Sequence, residues 1–305
     1  LACVLANNFT GYLLPWDQLS YWAVTISTGM LGYIPGIGSM LQRVVLGGPE
    51  IGPKTLTNFY TIHTTIVPVL LIVLMGFHFW RVRRAGGVVV PHANRDDDSA
   101  SIEKTHFLPN LFVRELAQAL VIVAVVVVLA AAFGAPLGER ANPGMSPNPA
   151  KSPWYFVGFQ ELLIHLHPTF ALLVIPLLAA VAFVLLPYLT SDDDSTGAWF
   201  LSPTGRRTAT VAAVLAAVVT PVLVMLDELV GSGRSGWITG GLLPLGLLLG
   251  VLYGFVALLR RRYDTTANES VQAVVVLLAV AFAVLTLIGV WFRGEGMALT
   301  WPWTG

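Results

Sequence analysis

Leu56-Thr-Asn58-Phe-Tyr-Thr-Ile-His63-Thr-Thr-Ile-Val-Pro68-Val-Leu-Leu-Ile-Val-Leu-Met-Gly76-Phe-His78-Phe-Trp80 runs for 25 residues without a charged side chain. At a rise of about 1.5 Å per residue it is long enough to cross a hydrocarbon layer of roughly 30 Å, so it reads as a membrane-spanning helix. His63 and His78 lie inside it, one towards each end. Fifteen positions apart, they would stand roughly 22 Å from each other along the axis and on nearly the same face.

Polar side chains at membrane depth are costly and usually functional. Either histidine alone reads equally well as a neutral imidazole hidden by a hydrogen bond to a neighbouring helix. The pair, near opposite surfaces and sharing a stripe, points to ligation of a metal or of haem iron, for which imidazole is a common axial ligand. Two stacked haems would make an electron wire across the membrane.

The rest of the chain agrees with a membrane setting. Of 305 residues 55% are hydrophobic and 11% charged, and the long Val/Leu/Ala runs predict an all-α, polytopic transmembrane helical bundle with interfacial helices. A net charge of zero suggests no nucleic-acid partner. The single cysteine, Cys3, excludes a disulfide framework and a cysteine-held iron-sulfur or zinc site within this chain. Leu-Ala-Cys-Val-Leu-Ala opens in mid-helix and does not resemble a signal peptide. The expectation is that an N-terminal part of the natural protein precedes it.

Residues 1 to about 14 are too short to span alone and stop at Pro15-Trp16, where proline disfavours continued helix. Residues 17 to about 30, and a second piece ending at Leu46, are aromatic and half-polar, which suits helices lying along one membrane surface. Gly47-Gly-Pro-Glu-Ile-Gly-Pro53 is a turn cluster that launches the two-histidine helix. A polar linker with His92, Arg95 and Asp96-Asp97-Asp98 follows, by default a solvated loop. Five more spans are predicted at about 112 to 133, 168 to 189, 208 to 230, 238 to 259 and 270 to 292. Between the first two, a long loop from Gly134 to Ser152 leads into the aromatic segment Pro153-Trp-Tyr-Phe-Val-Gly-Phe-Gln-Glu-Leu-Leu163. Arg81 to Arg84, Arg206-Arg207 and Arg260-Arg261-Arg262 alternate onto one side, which is thus cytoplasmic, while Trp16, Gly47 and Trp154 fall on the other.

These residues resemble a family. Gly11-Tyr-Leu-Leu-Pro-Trp-Asp-Gln-Leu-Ser-Tyr-Trp22, then Thr55-Leu-Thr-Asn-Phe-Tyr-Thr-Ile-His63 with His78, then Pro153-Trp-Tyr-Phe follow in order and look like segments of cytochrome b/b6. The fifteen-residue histidine spacing resembles the b6 branch. The uninterrupted chain resembles the fused form, with a b6-like part over 1–95, a cytoplasmic linker over 96–110 and a subunit IV-like part over 111–305. The last span exceeds the helix count of either form.

The resemblance implies a cytochrome b-type subunit of a quinol-oxidising complex in the inner membrane of a bacterial cell. One electron from quinol would pass to a Rieske iron-sulfur protein and on to a c-type cytochrome. The other would pass through two b haems to a quinone-reducing site, contributing to proton translocation by a dimeric complex. By the same resemblance His63 ligates the outer haem and His78 the inner one, with the second ligand of each expected upstream of Leu1. Gly11 would let a helix backbone approach a haem plate, a use that its missing side chain permits; ordinary helix packing is the other reading. Tyr155 is the candidate quinol-site hydrogen-bonding residue, and Pro15, Trp16, Pro153 and Trp154 are candidate pocket walls; interfacial anchoring explains the aromatics equally.

Two positions depart from the family pattern. Where the family carries Pro-Glu-Trp-Tyr, Pro153 stands in place of the glutamate, so the usual carboxylate is absent there. Glu161 is a candidate replacement, although it reads more simply as partner of a basic group; His165 and His167 are nearby proton carriers. Asn58 stands where an arginine is expected. The rival readings are a dihaem anchor of another quinone-linked dehydrogenase or reductase, and a non-haem transport protein using Asp227-Glu228.

Overall fold

The computed structural model describes residues 1–86, 106–135, 137–189, 199–230 and 236–302. Apart from two isolated bridges, Asp17 with Arg140 and Arg293 with Leu299, the regular structure of the described residues is helical. The helices are α1 Ala2–Tyr12, α2 Gln18–Gly29, α3 Gly38–Leu46, α4 Pro53–Arg84, α5 Phe107–Ala132, α6 Val157–His165, α7 Ile175–Leu189, α8 Pro203–Val230, α9 Ile238–Tyr263 and α10 Ala267–Trp291. Among the described residues α4, α5, α8, α9 and α10 are long and apolar enough to cross a membrane. The expected all-α architecture with spanning helices is what the chain adopts. The span expected over 168–189 is a shorter apolar helix, because His165-Leu-His-Pro168 breaks the chain just before it. The linker residues His92, Arg95 and Asp96 to Asp98 lie outside the described residues.

The chain divides into two compact units, Leu1–Pro91 with Arg140–Gly305, and His92–Glu139. The second contains α5, none of whose side chains is buried. An apolar helix exposed all round suits a lipid surround. In the first unit, α10 packs along α8 and across α6, with Ala212, Phe255, Leu259 and Ala273 forming one core and Val224, Leu285 and Ile288 another. The crossing of α6 and α10 depends on small residues. A Cβ on Gly158 would lie 2.6 Å from Thr286 Oγ1, and one on Gly289 would lie 2.9 Å from Val157 Cγ1.

The turns follow from local chemistry. Asp17 caps α2: its carboxylate accepts from the Ser20 amide at 2.8 Å, while the Ser20 hydroxyl accepts from the Asp17 amide at 3.0 Å. Gly47 ends α3 with φ 71°, the left-handed geometry in which a residue without Cβ is favoured.

Three apolar helices share a further device. The turns Ile62–Ile66, Phe170–Val174 and Ile238–Leu242 are π-helical, closed by the amides of Val67, Ile175 and Leu243. In each case the residue after that amide is proline, Pro68, Pro176 and Pro244. A proline ring collides with the carbonyl four residues earlier in a regular α-helix. Widening the preceding turn by one residue moves that carbonyl aside.

Candidate functional site

His63 sits in the first of these π-turns. Its Nδ1 lies 2.9 Å from the Asn7 carbonyl oxygen. A carbonyl only accepts, so Nδ1 carries the proton and donates it, which leaves Nε2 as the basic nitrogen. This is the second-sphere arrangement that orients a metal-binding imidazole. The ring is packed directly on Gly11: a Cβ there would stand 2.5 Å from His63 Cε1 and 2.9 Å from Nδ1. Gly11 therefore makes room for the imidazole between α1 and α4. Beneath it lies a core of Leu13, Val24 and Phe59, with the Phe9 and Phe59 rings 5.8 Å apart.

His78, further along α4, is exposed on the apolar surface of the helix, and its ring centre lies 6.0 Å from that of Phe79. The single extra residue of the π-turn lies between the histidines, so their fifteen positions act as about fourteen of regular helix, roughly 21 Å.

Tyr155 meets α1, and the loop before it meets the segment that begins at Trp16. Tyr155 donates its hydroxyl to Asn8 Oδ1 at 3.2 Å, the Ala141 amide donates to the Trp16 carbonyl at 3.4 Å, and the Trp22 indole donates to the Asn142 carbonyl at 3.1 Å. The Gln18 side-chain amide also donates to the Met145 carbonyl. Trp16 holds φ 54°, a left-handed conformation unusual for a bulky residue, and its ring meets Tyr21 edge-on at 5.9 Å. Pro15 is exposed and Trp154 is 72% exposed, its ring against that of Tyr155 at 5.7 Å. Pro153 accepts from the Phe156 amide at 2.7 Å and so starts the turn into α6. A shallow cleft lined by Leu14, Leu56, Thr57 and Tyr60 opens beside these segments, but none of the candidate walls lines it.

Glu161 is fully buried and bound to Arg293, whose Nε lies 3.0 and 3.1 Å from its two oxygens. The same carboxylate lies 3.2 Å from His165 Nε2, and His165 Nδ1 lies 2.6 Å from Asp227 Oδ2. Arg293 also donates to Glu228 Oε2 at 3.2 Å and to the Met297 carbonyl at 3.0 Å. Burial alone would push the Glu161 carboxyl up; hydrogen bonds from His165 and Arg293, with the arginine charge, overcome it and hold the pKa below the ordinary value. Burial likewise works against charge on His165, but Glu161 and Asp227 outweigh it and raise its pKa above 6.5. His167 packs apart from this cluster, its ring 5.6 Å from Trp237 and 6.3 Å from Tyr33.

Sequence reasoning passed over Asn7 and Arg293. Asn7 acts through its backbone, which no residue type announces. Arg293 was legible as the lone cation directly after the last span.

A family model described as cytochrome b (N-terminal)/b6/petB matches residues 1–149. Over these residues the chain is cytochrome b/b6-like. A cytochrome b of Rhodobacter capsulatus is 34% identical over 170 residues, covering 52% of this chain and 38% of that protein. A cytochrome b6 of Chlamydomonas reinhardtii is 45% identical over 84 residues, covering 28% of this chain and 39% of that protein. The chain thus spans less than two fifths of the length of these curated relatives. In fold it is similar to a solved chain of a hyperthermophilic respiratory Complex III, with a TM-score of 0.54 and 21% identity over 94% of this chain and 66% of that one. Likeness to the b/b6 family brings haem b into consideration, and His63 fits it: its Nδ1 proton is committed to the Asn7 carbonyl, which leaves Nε2 free to bind iron.

Proposed function

We propose that the chain is the haem-bearing, membrane-embedded part of a bc-type quinol-oxidising complex. The observation that carries this reading is His63, an imidazole on a membrane-spanning helix with Nδ1 tied to the Asn7 carbonyl at 2.9 Å and its ring against Gly11. The family match over residues 1–149 and the fold neighbour from a respiratory Complex III support it.

His63 would hold a haem nearer the outer surface and His78 one nearer the inner surface. When bound, the haems supply one-electron relay chemistry between the two faces. His78 is exposed on the apolar face of α4, where an unpaired imidazole is unfavourable in lipid, and ligation relieves that cost. Quinol binds on the outer side, where the Pro153-Trp154-Tyr155 turn meets α1. Tyr155 offers a hydroxyl to the quinol, with Pro15, Trp16, Pro153 and Trp154 as the walls against which its ring packs. The electron acceptor is a Rieske iron-sulfur protein delivering to a c-type cytochrome, in a dimeric complex of the bacterial inner membrane.

Tyr155→Phe in the full-length protein within its complex tests the quinol site. The variant retains both haem absorbances and oxidises quinol at least ~10-fold more slowly. Unchanged turnover removes Tyr155, and with it this pocket, from the mechanism.

A further inference from the structure

The cluster on α6, α8 and the segment after α10 is ordered by exposure. Glu161 is 0% exposed, the His165 side chain 12%, Asp227 17% and Glu228 39%. The first three are joined in series: Glu161 Oε1 to His165 Nε2 at 3.2 Å, and His165 Nδ1 to Asp227 Oδ2 at 2.6 Å. An imidazole with a carboxylate on each nitrogen can take a proton on one side and release one on the other. Gln160, beside Glu161, holds the loop that leads into the Tyr155 turn. Gln160 Oε1 accepts from the Ser152 amide at 2.7 Å, and its Nε2 donates to the Ala150 carbonyl at 2.6 Å. Pro153 meanwhile occupies the position where the resemblance calls for a proton-accepting carboxylate.

We propose that Glu161, His165 and Asp227 form a proton exit relay that carries quinol protons from the Tyr155 pocket to water, with Arg293 as a positioning residue that fixes its inner end. This rests on the quinol-oxidising reading above. In the resting relay His165 is an imidazolium between two carboxylates. Its Nδ1 proton moves to Asp227 and then to water. The neutral ring keeps its Nε2 proton; turned over, it presents the bare Nδ1 to Glu161, takes there a proton that reached Glu161 from quinol, and is an imidazolium between the two carboxylates again. One proton enters and one leaves; no electron moves along the relay. Among the described residues, the charged groups facing His165 are Glu161, Asp227 and Arg293, with Glu228 held beyond the arginine.

The test uses membranes carrying the full-length protein in its complex. Quinol oxidation is followed against pH in water and in deuterium oxide, for the wild type, Asp227→Asn, Asp227→Glu and His165→Gln, with haem absorbance as the check on assembly. The relay predicts that Asp227→Asn and His165→Gln slow turnover at least ~10-fold, enlarge the solvent isotope effect and change the pH profile, and that Asp227→Glu restores most of the rate. Slower turnover with an unchanged pH profile and isotope effect overturns the relay and leaves a structural clamp. Wild-type turnover in both variants, with haems intact, also overturns it. Absence of quinol oxidation by the wild-type complex sinks the functional reading itself, an outcome separate from failure of the relay alone. Should Asp227→Asn fail to assemble, His165→Gln decides.

Discussion

Gly11 has no Cβ where His63 needs space. An alanine there puts a carbon 2.5 Å from His63 Cε1, so the imidazole must move or the helices must part, at a cost of about 1–3 kcal/mol. Gly11→Ala is therefore expected to displace His63 from the Asn7 carbonyl and shift or weaken the outer haem absorbance while sparing the inner one; an unaltered spectrum would show that the close approach is immaterial. Arg293 poses a different residue-scale question, because its partner Glu161 is 132 positions away. Removing the guanidinium leaves a buried carboxylate without its counter-charge, so Arg293→Leu is expected to destabilise by about 3–5 kcal/mol, seen as a lower thermal midpoint; Arg293→Leu with Glu161→Leu should recover much of the loss. The pH dependence has two limbs. His165, raised above 6.5, contributes fully below 6.5 and loses its contribution as pH rises through the raised value. Glu161, lowered from 4.5, contributes fully above 4.5 and loses its contribution as pH falls through the lowered value. The cluster is thus firmest between pH 4.5 and 6.5, and thermal midpoints of the detergent-solubilised complex should fall on both sides of that window in the wild type, with both limbs weakened in the Glu161, His165 double variant. The histidines of α4 were legible because an apolar span makes any imidazole conspicuous. The Arg293 pair was half legible: sequence offers Glu161 a basic partner but not which one, since pairing across 132 residues follows from packing.

At the scale of elements, boundaries followed turn chemistry. Asp17, Gly47 and the Pro15-Trp16 break mark the helix ends they were expected to mark, because caps and breakers act within a few residues. The π-turns were not foreseen. The prolines that cause them are plain in the sequence, yet hydrophobic periodicity registers a proline only as an interruption, not as an extra residue. At α4 the difference matters, since the widened turn sets the angle between His63 and His78. Pro68→Ala removes the ring that collides with the Thr64 carbonyl, and closing the turn would rotate His63 by about 100° relative to His78. The expected outcome is loss of the outer haem band in Pro68→Ala and its return when Thr65 is deleted as well, read by redox difference spectra. If Pro68→Ala alone keeps both bands, the wide turn does not depend on the proline.

On the scale of the molecule, the last span acquires a role that sequence left open. α10 packs on α8 and α6, and the segment just past its end supplies Arg293 to Glu161. It thereby fixes the helix that follows the Pro153-Trp154-Tyr155 turn. A bundle of apolar helices was legible from composition, since burying backbone polar groups in lipid leaves few alternatives. Which helices touch was not, because their surfaces are uniformly Val, Leu and Ala, and the contacts are decided by glycines such as Gly158 and Gly289 whose effect is to be absent. The account stands or falls on α4 as a rod holding iron at two depths. Redox titration of the full-length protein, followed at the b-type absorbance, measures this most directly. The account predicts two reductive steps in the wild type, loss of one in His63→Ala and of the other in His78→Ala. Two undiminished steps in either variant would contradict it.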